Sequence, residues 1–66
     1  MNWRILQSTI KRVRLEKGMT QQELADMTGI SRPNIARLET SEKNPTVGTL
    51  EKVCSALGIE VETITG

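Results

Sequence analysis

The stretch TQQELADMTGISRPNIARLE, from Thr20 to Glu39, decides the fold because it predicts two short helices joined by a tight turn. Thr20 and Glu23 stand at the spacing of a capping box. In that motif the Thr hydroxyl accepts from the amide three residues on, and the Glu carboxylate accepts from the Thr amide. The pattern therefore predicts that the first helix begins at Gln21.

The second half of this stretch carries the turn and the start of the next helix. Gly29 supplies the backbone freedom for a sharp turn, and Ile30 places a branched side chain in its corner. Ser31 is a favourable N-cap, and Pro33 fits the first turn of the second helix, where a missing N–H costs little. The inward faces of both helices are marked by apolar residues at helical spacing: Leu24, Ala25, Ile35 and Leu38.

These residues resemble the helix-turn-helix of the Cro and lambda-repressor-like family of DNA-binding proteins. Small Ala25, the turn residue Gly29 and apolar residues at four further positions fall where that motif has them: Leu24, Ile30, Ile35 and Leu38. The resemblance extends from about Leu6 to Ile64. It implies an all-α fold, a compact lambda-repressor-like domain of four to five helices that binds double-stranded DNA.

A helix is also predicted before the motif, from about Asn2 to Lys17, with Gly18 as its left-handed stop. Apolar residues at helical spacing mark its inward face: Leu6, Ile10 and Val13. Trp3 is not required by this core pattern and is predicted to cover the end of the helix. Leu15 is either part of a partner surface or an isolated exposed apolar residue.

A fourth helix is predicted after a polar loop, with Thr46 as its N-cap and Gly58 as its end. Its predicted buried face carries five residues: Val47, Leu50, Val53, Cys54 and Leu57. Cys54 on this face is interpreted as a small core residue rather than a redox-sensitive thiol.

The segment from Ile59 to Gly66 fits two structures. Its spacing of apolar residues suits a short fifth helix, whereas its β-branched alternation suits a short C-terminal strand that pairs with a second subunit. In both cases its apolar residues exceed what a small monomer needs, so they are candidates for a dimer contact: Ile59, Val61 and Ile64.

Length and composition limit the class of protein. A chain of 66 residues predicts one domain, 1–66 with the motif at 20–39, whose small core makes association with a partner plausible. The single cysteine and the lack of a membrane-length apolar run predict a cytoplasmic protein without a membrane anchor. Without His, Tyr, a paired-cysteine motif or a glycine-rich phosphate loop, we expect no enzyme, no metal site and no cofactor.

The charges are unevenly distributed although the net charge is only +1. Through Leu38, seven Lys or Arg residues stand against three acidic residues, a local charge of +4. From Glu39 onward, two basic residues stand against five acidic ones, a local charge of −3. This asymmetry predicts a face for an anionic partner and an acidic end turned away from it.

The second motif helix is predicted to enter a major groove of DNA. Its buried residues Ile35 and Leu38 determine which side faces outward. The candidates for base contacts lie on that side and its two shoulders: Arg32, Pro33, Asn34, Ala36 and Arg37. Arg32 and Arg37 are preferred because a guanidinium donates two bonds to guanine; a merely solvated surface is the alternative. In the resemblance, relatives contact bases from the positions of Arg32, Pro33 and Arg37, but Pro33 departs from the polar residue often found there.

Other residues are predicted to contact the DNA backbone or to hold the motif in place. The resemblance makes Gln21 a phosphate contact at a helix N-terminus, and Thr20 is a further candidate whose capping role comes first. The loop after the second helix provides a second predicted phosphate clamp: Thr40, Ser41, Lys43 and Asn44. For Lys43, an ordinary loop charge is the alternative. The resemblance also implies an ion pair between Arg14 and Glu39.

These features together predict a sequence-specific DNA-binding transcriptional regulator. Because one such module buries little surface on DNA, we expect a homodimer that represses transcription from a pseudo-palindromic operator. The alternative is an antitoxin-like or adaptor protein whose main role is to bind another protein. The apolar tail, Leu15 and the acidic second half favour that alternative.

Overall fold

The computed structural model describes residues 3–59, which form four α-helices. In chain order these are α1 (Trp3–Glu16), α2 (Gln21–Thr28), α3 (Arg32–Thr40) and α4 (Val47–Leu57). The predicted all-α fold is confirmed. Of the segment for which a fifth helix or a strand was expected, residues 60–66 lie outside the described residues, whereas Ile59 packs partly buried against the core.

The motif helices begin and end where the sequence predicts. Thr20 Oγ1 accepts from the Glu23 amide, and Glu23 Oε1 accepts from the Thr20 amide, both at 3.0 Å. The turn after α2 has Gly29 in the left-handed region with φ 75°. A Cβ atom at Gly29 would meet no other atom within 4 Å, so the backbone angle, and not space, calls for glycine here.

Hydroxyl side chains also cap the N-terminal ends of α3 and α4, as the sequence predicts. Ser31 Oγ accepts from the Asn34 amide at 3.4 Å, and Pro33 occupies the second position of α3. Thr46 Oγ1 accepts from the Thr49 amide at 3.3 Å at the start of α4. Each cap satisfies a backbone N–H that the helix itself leaves without a partner.

One hydrophobic core lies between the helices and draws on all four of them. α2 packs against α3 and α4, and α1 packs against the same two helices. Small Ala25 is buried at this junction, as its size predicts for helices joined by so short a turn. The buried apolar residues are Trp3, Leu6, Ile10, Leu24, Ala25, Ile35, Leu38, Leu50, Val53, Cys54 and Leu57.

One expectation about apolar residues is wrong. Val47 was assigned to the buried face of α4 but is 55% exposed, because it is the first residue of that helix and lies a turn before Leu50, where the buried face begins. Trp3, which the core pattern did not require, lies at the start of α1, is 8% exposed and belongs to the core. Cys54 is fully buried, as expected, and burial raises the pKa of its thiol. Leu15 is exposed.

Replacing Thr20 with Ala is expected to lower the free energy of unfolding by about 1 kcal/mol, because α2 loses one side of its capping box. Chemical denaturation followed by circular dichroism would measure the change. Gln22→Ala, at the exposed second position of the same helix, is the matched control. It removes only an exposed hydrogen bond to Asp26 and should change stability by less than about 0.5 kcal/mol. Equal effects of the two substitutions would contradict the role of the cap.

Candidate nucleic-acid interface

The outer side of α3 carries most of the residues predicted to contact bases. Exposed side chains on this helix are Arg32, Pro33, Asn34, Arg37 and Thr40. Ala36 was expected to be among the residues that point outward but is half-buried, because it lies beside buried Ile35 and three residues before buried Glu39 and so borders the inner side of the helix. The outward surface of α3 is therefore formed by its first three residues, Arg37 and Thr40.

The two arginines on this surface have no partner within the described part of the chain. Between residues 3 and 59, ion pairs form at Arg4, Arg12 and Arg14 but not at Arg32 or Arg37. Neither Arg32 nor Arg37 donates a side-chain hydrogen bond to another described residue. Their guanidinium groups therefore keep all their donors for an external acceptor.

A groove of about 460 Å³ separates α3 from the loop that follows it and from the start of α4. Its lining includes apolar Ile30, Leu38 and Pro45. Members of the predicted base-contacting and phosphate-binding sets also line it: Asn34, Arg37, Ser41, Lys43 and Asn44. The fold thus brings two of the predicted base-contacting residues and three of the predicted phosphate-binding residues together around one groove, which carries two cationic and three apolar side chains.

A buried ion pair joins α1 to the end of α3. Arg14 Nε donates to Glu39 Oε2 at 2.6 Å, and Arg14 Nη2 donates to Glu39 Oε1 at 3.1 Å. The two side chains are 7% and 1% exposed. Arg14 also donates through Nη1 to the Met19 carbonyl at 2.7 Å, which fixes the link between α1 and α2. This is the pair that the resemblance implied.

Gln21 joins this pair, which the sequence did not indicate. Its amide Nε2 donates to Glu39 Oε1 at 3.0 Å, so the start of α2 is tied to the end of α3. Gln21 was expected to contact phosphate, but part of its hydrogen-bonding capacity is used inside the protein. The bond spans 18 residues, and no local spacing signals a contact at that separation.

Glu39 is held in its ionised form. Burial by itself would raise the pKa of this carboxyl group. The hydrogen bonds from Arg14 and Gln21, together with the positive charges of Arg14 and Lys11, outweigh burial and lower the pKa below its ordinary value. The carboxylate therefore keeps both partners in place at neutral pH.

A second polar connection, which we call the Trp3–Gln7 latch, joins α1 to the C-terminal end of α3. Trp3 Nε1 donates to the Ser41 carbonyl at 3.1 Å. Gln7 Nε2 donates to the carbonyls of Ser41 at 2.7 Å and Leu38 at 2.9 Å. Carbonyls at the end of a helix lack partners within it, and the latch supplies them. Nothing in the sequence pattern predicted this role, although the two residues are four apart and so share a helix face.

Three of the five remaining predicted phosphate contacts, namely Thr20, Thr40 and Ser41, have side-chain hydrogen bonds within the protein. The Thr20 hydroxyl belongs to the capping box, and the Thr40 hydroxyl donates to the Ala36 carbonyl at 3.0 Å. Ser41 Oγ accepts from the Lys43 amide at 3.1 Å. The side chains of Lys43 and Asn44 are exposed.

Of the dimer candidates, Val61 and Ile64 lie outside the described residues.

The described residues supply neither a metal site nor a membrane span. Between residues 3 and 59, no group of three or more His, Cys, Asp or Glu side chains could hold a metal ion. None of the four helices is both long and apolar enough to cross a membrane.

Comparison with known proteins places this geometry in a family. Residues 10–64 match the family model described as "Helix-turn-helix". The chain is 44% identical over 57 residues to the immunity repressor protein of Bacillus phage phi105, which covers 86% of this chain and 40% of that protein. It is 40% identical over 63 residues to an uncharacterized HTH-type transcriptional regulator of Sinorhizobium fredii, and the match covers 94% of this chain and 82% of that protein. It is 35% identical over 60 residues to the HTH-type transcriptional regulator SutR of Escherichia coli, and this match covers 91% of this chain and 34% of that protein. Two of these three relatives are thus more than twice as long as the matched region.

Replacing Glu39 with Gln is expected to lower the free energy of unfolding at pH 7 by about 3 kcal/mol, because the buried guanidinium of Arg14 loses its counter-charge. Since the folded-state pKa of Glu39 is lowered, its contribution is complete above the unfolded pKa of about 4.3 and is lost as the pH falls through the folded value. The difference between wild type and Glu39→Gln should therefore shrink below about pH 4. Urea denaturation at successive pH values would measure it.

Two variants control this experiment. Glu51→Gln, which neutralises an exposed carboxylate on α4, should change the stability at pH 7 by less than about 0.5 kcal/mol. The double variant Arg14→Met with Glu39→Met should be more stable than Glu39→Gln, because it leaves no unpaired charge. A difference between wild type and Glu39→Gln that stays constant from pH 7 to pH 3 would contradict the ion-pair explanation.

Proposed function

The chain belongs to the helix-turn-helix family of the Cro and C1 type, and on that premise we propose that it binds double-stranded DNA and regulates transcription. The observation that carries the proposal is the outer side of α3, where Arg32 and Arg37 are exposed and have no ion-pair partner among residues 3–59. A regulator named as a phage immunity repressor and others named as HTH-type transcriptional regulators are similar to it.

In this proposal, α3 is the recognition helix and enters the major groove with its N-terminal end first. Arg32 and Arg37 each donate two hydrogen bonds to O6 and N7 of a guanine. Asn34 contacts a base or a phosphate from the shoulder of the helix, and Pro33 and Ala36 supply apolar contact, for example to a thymine methyl group. The half-buried position of Ala36 makes its contribution the smallest.

Phosphate contacts set the orientation of the recognition helix on the duplex. Lys43 and Asn44 are the strongest candidates, because their side chains are exposed beside the groove that Arg37 also lines. Thr40 and Ser41 add hydroxyl groups at the same end of α3. At the other side of the motif, Thr20 and Gln21 lie at the positive end of α2, although their side chains also serve the cap and the ion pair.

The proposed mode of regulation is repression by a homodimer. A single module of this size covers one half-site, and two copies related by a two-fold axis would cover a pseudo-palindromic operator with half-sites about one helical turn apart. Binding there would exclude other proteins from a promoter. The candidates for the subunit contact remain Ile59, Val61 and Ile64, and the proposed compartment is the cytoplasm.

Selecting bound sequences from a random DNA pool tests the recognition helix. Wild type should enrich a sequence with guanines, and Arg32→Ala or Arg37→Ala should relax the preference at one base pair per half-site and weaken binding by about 1–3 kcal/mol. The matched control is Arg12→Ala, which removes an exposed arginine of α1 that is paired with Glu16. If both α3 variants keep the affinity and base preference of wild type, the recognition-helix assignment is wrong.

Truncation after Ile59 tests the dimer, because it removes Val61 and Ile64 but retains every described core residue. Sedimentation velocity over a range of concentrations should show dimers of the full chain and monomers of the truncated chain, with unchanged circular dichroism as the control for folding. A full chain that stays monomeric at high concentration would contradict the homodimer. Loss of a co-purifying protein on truncation, without loss of self-association, would instead favour the antitoxin-like or adaptor function.

A further inference from the structure

The loop after α3 depends on one residue, Ser41, whose polar backbone and side-chain groups are all engaged. Its amide donates to the Arg37 carbonyl at 2.7 Å, and its hydroxyl accepts from the Lys43 amide at 3.1 Å. Its carbonyl accepts from both residues of the Trp3–Gln7 latch. Ser41 is therefore the point at which α1, the end of α3 and the loop are joined.

The loop itself has no regular structure that would hold it. Between the end of α3 and the start of α4 the backbone bends at Glu42 and Lys43 and forms no helix or strand, and Ser41 is already extended with φ −78° and ψ 143°. The side-chain hydrogen bonds to the Ser41 carbonyl come from α1. An exposed ion pair between Arg4 and Glu42 connects α1 to the next residue of the same loop.

The latch also connects the loop to the recognition helix. Gln7 Nε2 bonds two carbonyls at once, that of Leu38 within α3 and that of Ser41 just beyond it. The Gln7 amide group therefore adds a side-chain link between α3 and Ser41 to the backbone bond from the Ser41 amide to the Arg37 carbonyl. Lys43 follows two residues later, with its amide held by Ser41.

We propose that Trp3 and Gln7 are positioning residues for DNA binding, which hold Lys43 in register with Arg37 so that a phosphate contact and a base contact form together. This inference rests on the proposed function, in which Arg37 contacts a base and Lys43 contacts a nearby phosphate of the same duplex. The latch residues do not contact DNA in this arrangement. They act through Ser41.

A purely structural role for the latch would give a different pattern of effects. If Gln7 only stabilises the fold, its loss lowers stability throughout the domain and affects DNA binding independently of Lys43. If Gln7 positions Lys43, the two residues contribute to binding through the same contact, and their substitutions are not additive. A double-mutant cycle therefore separates the two roles.

The test compares wild type, Gln7→Met, Lys43→Ala and the double variant in binding to the duplex selected from the random pool. Gln7→Met keeps an unbranched side chain of similar length and removes both N–H donors. We expect it to weaken binding about three- to tenfold, because DNA binding must then supply the free energy of ordering the loop that these hydrogen bonds provide in wild type. In the Lys43→Ala background the same change should have less than half that effect on the logarithm of the affinity. Both Gln7→Met and Lys43→Ala should make the dependence of binding on salt less steep.

Hydrogen exchange of backbone amides provides a readout that needs no DNA. In Gln7→Met the amides of Ser41 and Lys43 should exchange at least about tenfold faster than in wild type. The amides of the core residues Ile35 and Val53 report global stability, so their exchange rates should change only as far as the free energy of unfolding changes. Trp3→Phe, which keeps an aromatic ring in the core but removes the Nε1 donor, should show a weaker form of the same pattern. Thr9→Val is the matched control, because it removes a side-chain donor of α1 whose bond to the Ile5 carbonyl stays within that helix.

Additive effects of Gln7→Met and Lys43→Ala on binding would overturn the proposal, as would unchanged exchange at Ser41 and Lys43 in both latch variants. Failure of the proposed function has a different signature, since wild type would then select no duplex from the pool. In that case faster exchange confined to Ser41 and Lys43 would still support the positioning of the loop, and unchanged exchange would refute it.

Discussion

The buried pairing of Arg14 with Glu39 is the constraint on which the rest of the structure depends. Its bidentate geometry joins the last turn of α1 to the last turn of α3, and Gln21 adds the first residue of α2 to the same carboxylate. A charged group so completely buried is costly unless every donor and acceptor is matched. Because the Glu39 carboxylate must keep its bonds to both Arg14 and Gln21, this one group fixes the ends of α1, α2 and α3 relative to one another.

The apolar core and the polar junctions have different tasks. The core supplies the driving force for folding, with Ile10, Leu24 and Ile35 fully buried between the helices. Apolar contact alone allows helices to slide or rotate slightly, whereas hydrogen bonds have preferred directions. The ion pair and the Trp3–Gln7 latch both act on the C-terminal half of α3, so α1 holds that helix from two polar points while the outer side of α3 remains open.

Because the polar bonds from α1 and the core hold α3 from its inner side, the side chains on its outer side make few contacts within the described residues. Arg32 and Arg37 project from a helix whose inner side is fully used, and they make no ion pair within the described residues. The neighbouring loop is held through its backbone and through the Ser41 hydroxyl, which leaves the Lys43 and Asn44 side chains exposed. A helix that is held rigidly on its inner side and exposes hydrogen-bond donors on its outer side can bind a charged, regularly spaced polymer without reorganising.

The local features of this protein can be predicted from its amino-acid sequence. Capping residues such as Thr20 and Ser31, the left-handed Gly29 and the periodic apolar residues specify helix limits within a few positions, so α2, α3 and α4 begin where predicted. The outward side of α3 follows from the same periodicity, apart from the half-buried Ala36.

Contacts between residues far apart in the sequence become visible only once the helices are packed together. The bond from Gln21 to Glu39 spans 18 residues, and those from Trp3 and Gln7 to Ser41 span 38 and 34. Helical spacing relates neighbours three or four positions apart and carries no information on such contacts. Exposure at a helix end, as for Val47, likewise depends on where the other helices stop. The physical reason is the same in each case: local propensity acts along the chain, whereas burial and polar pairing depend on how the helices pack.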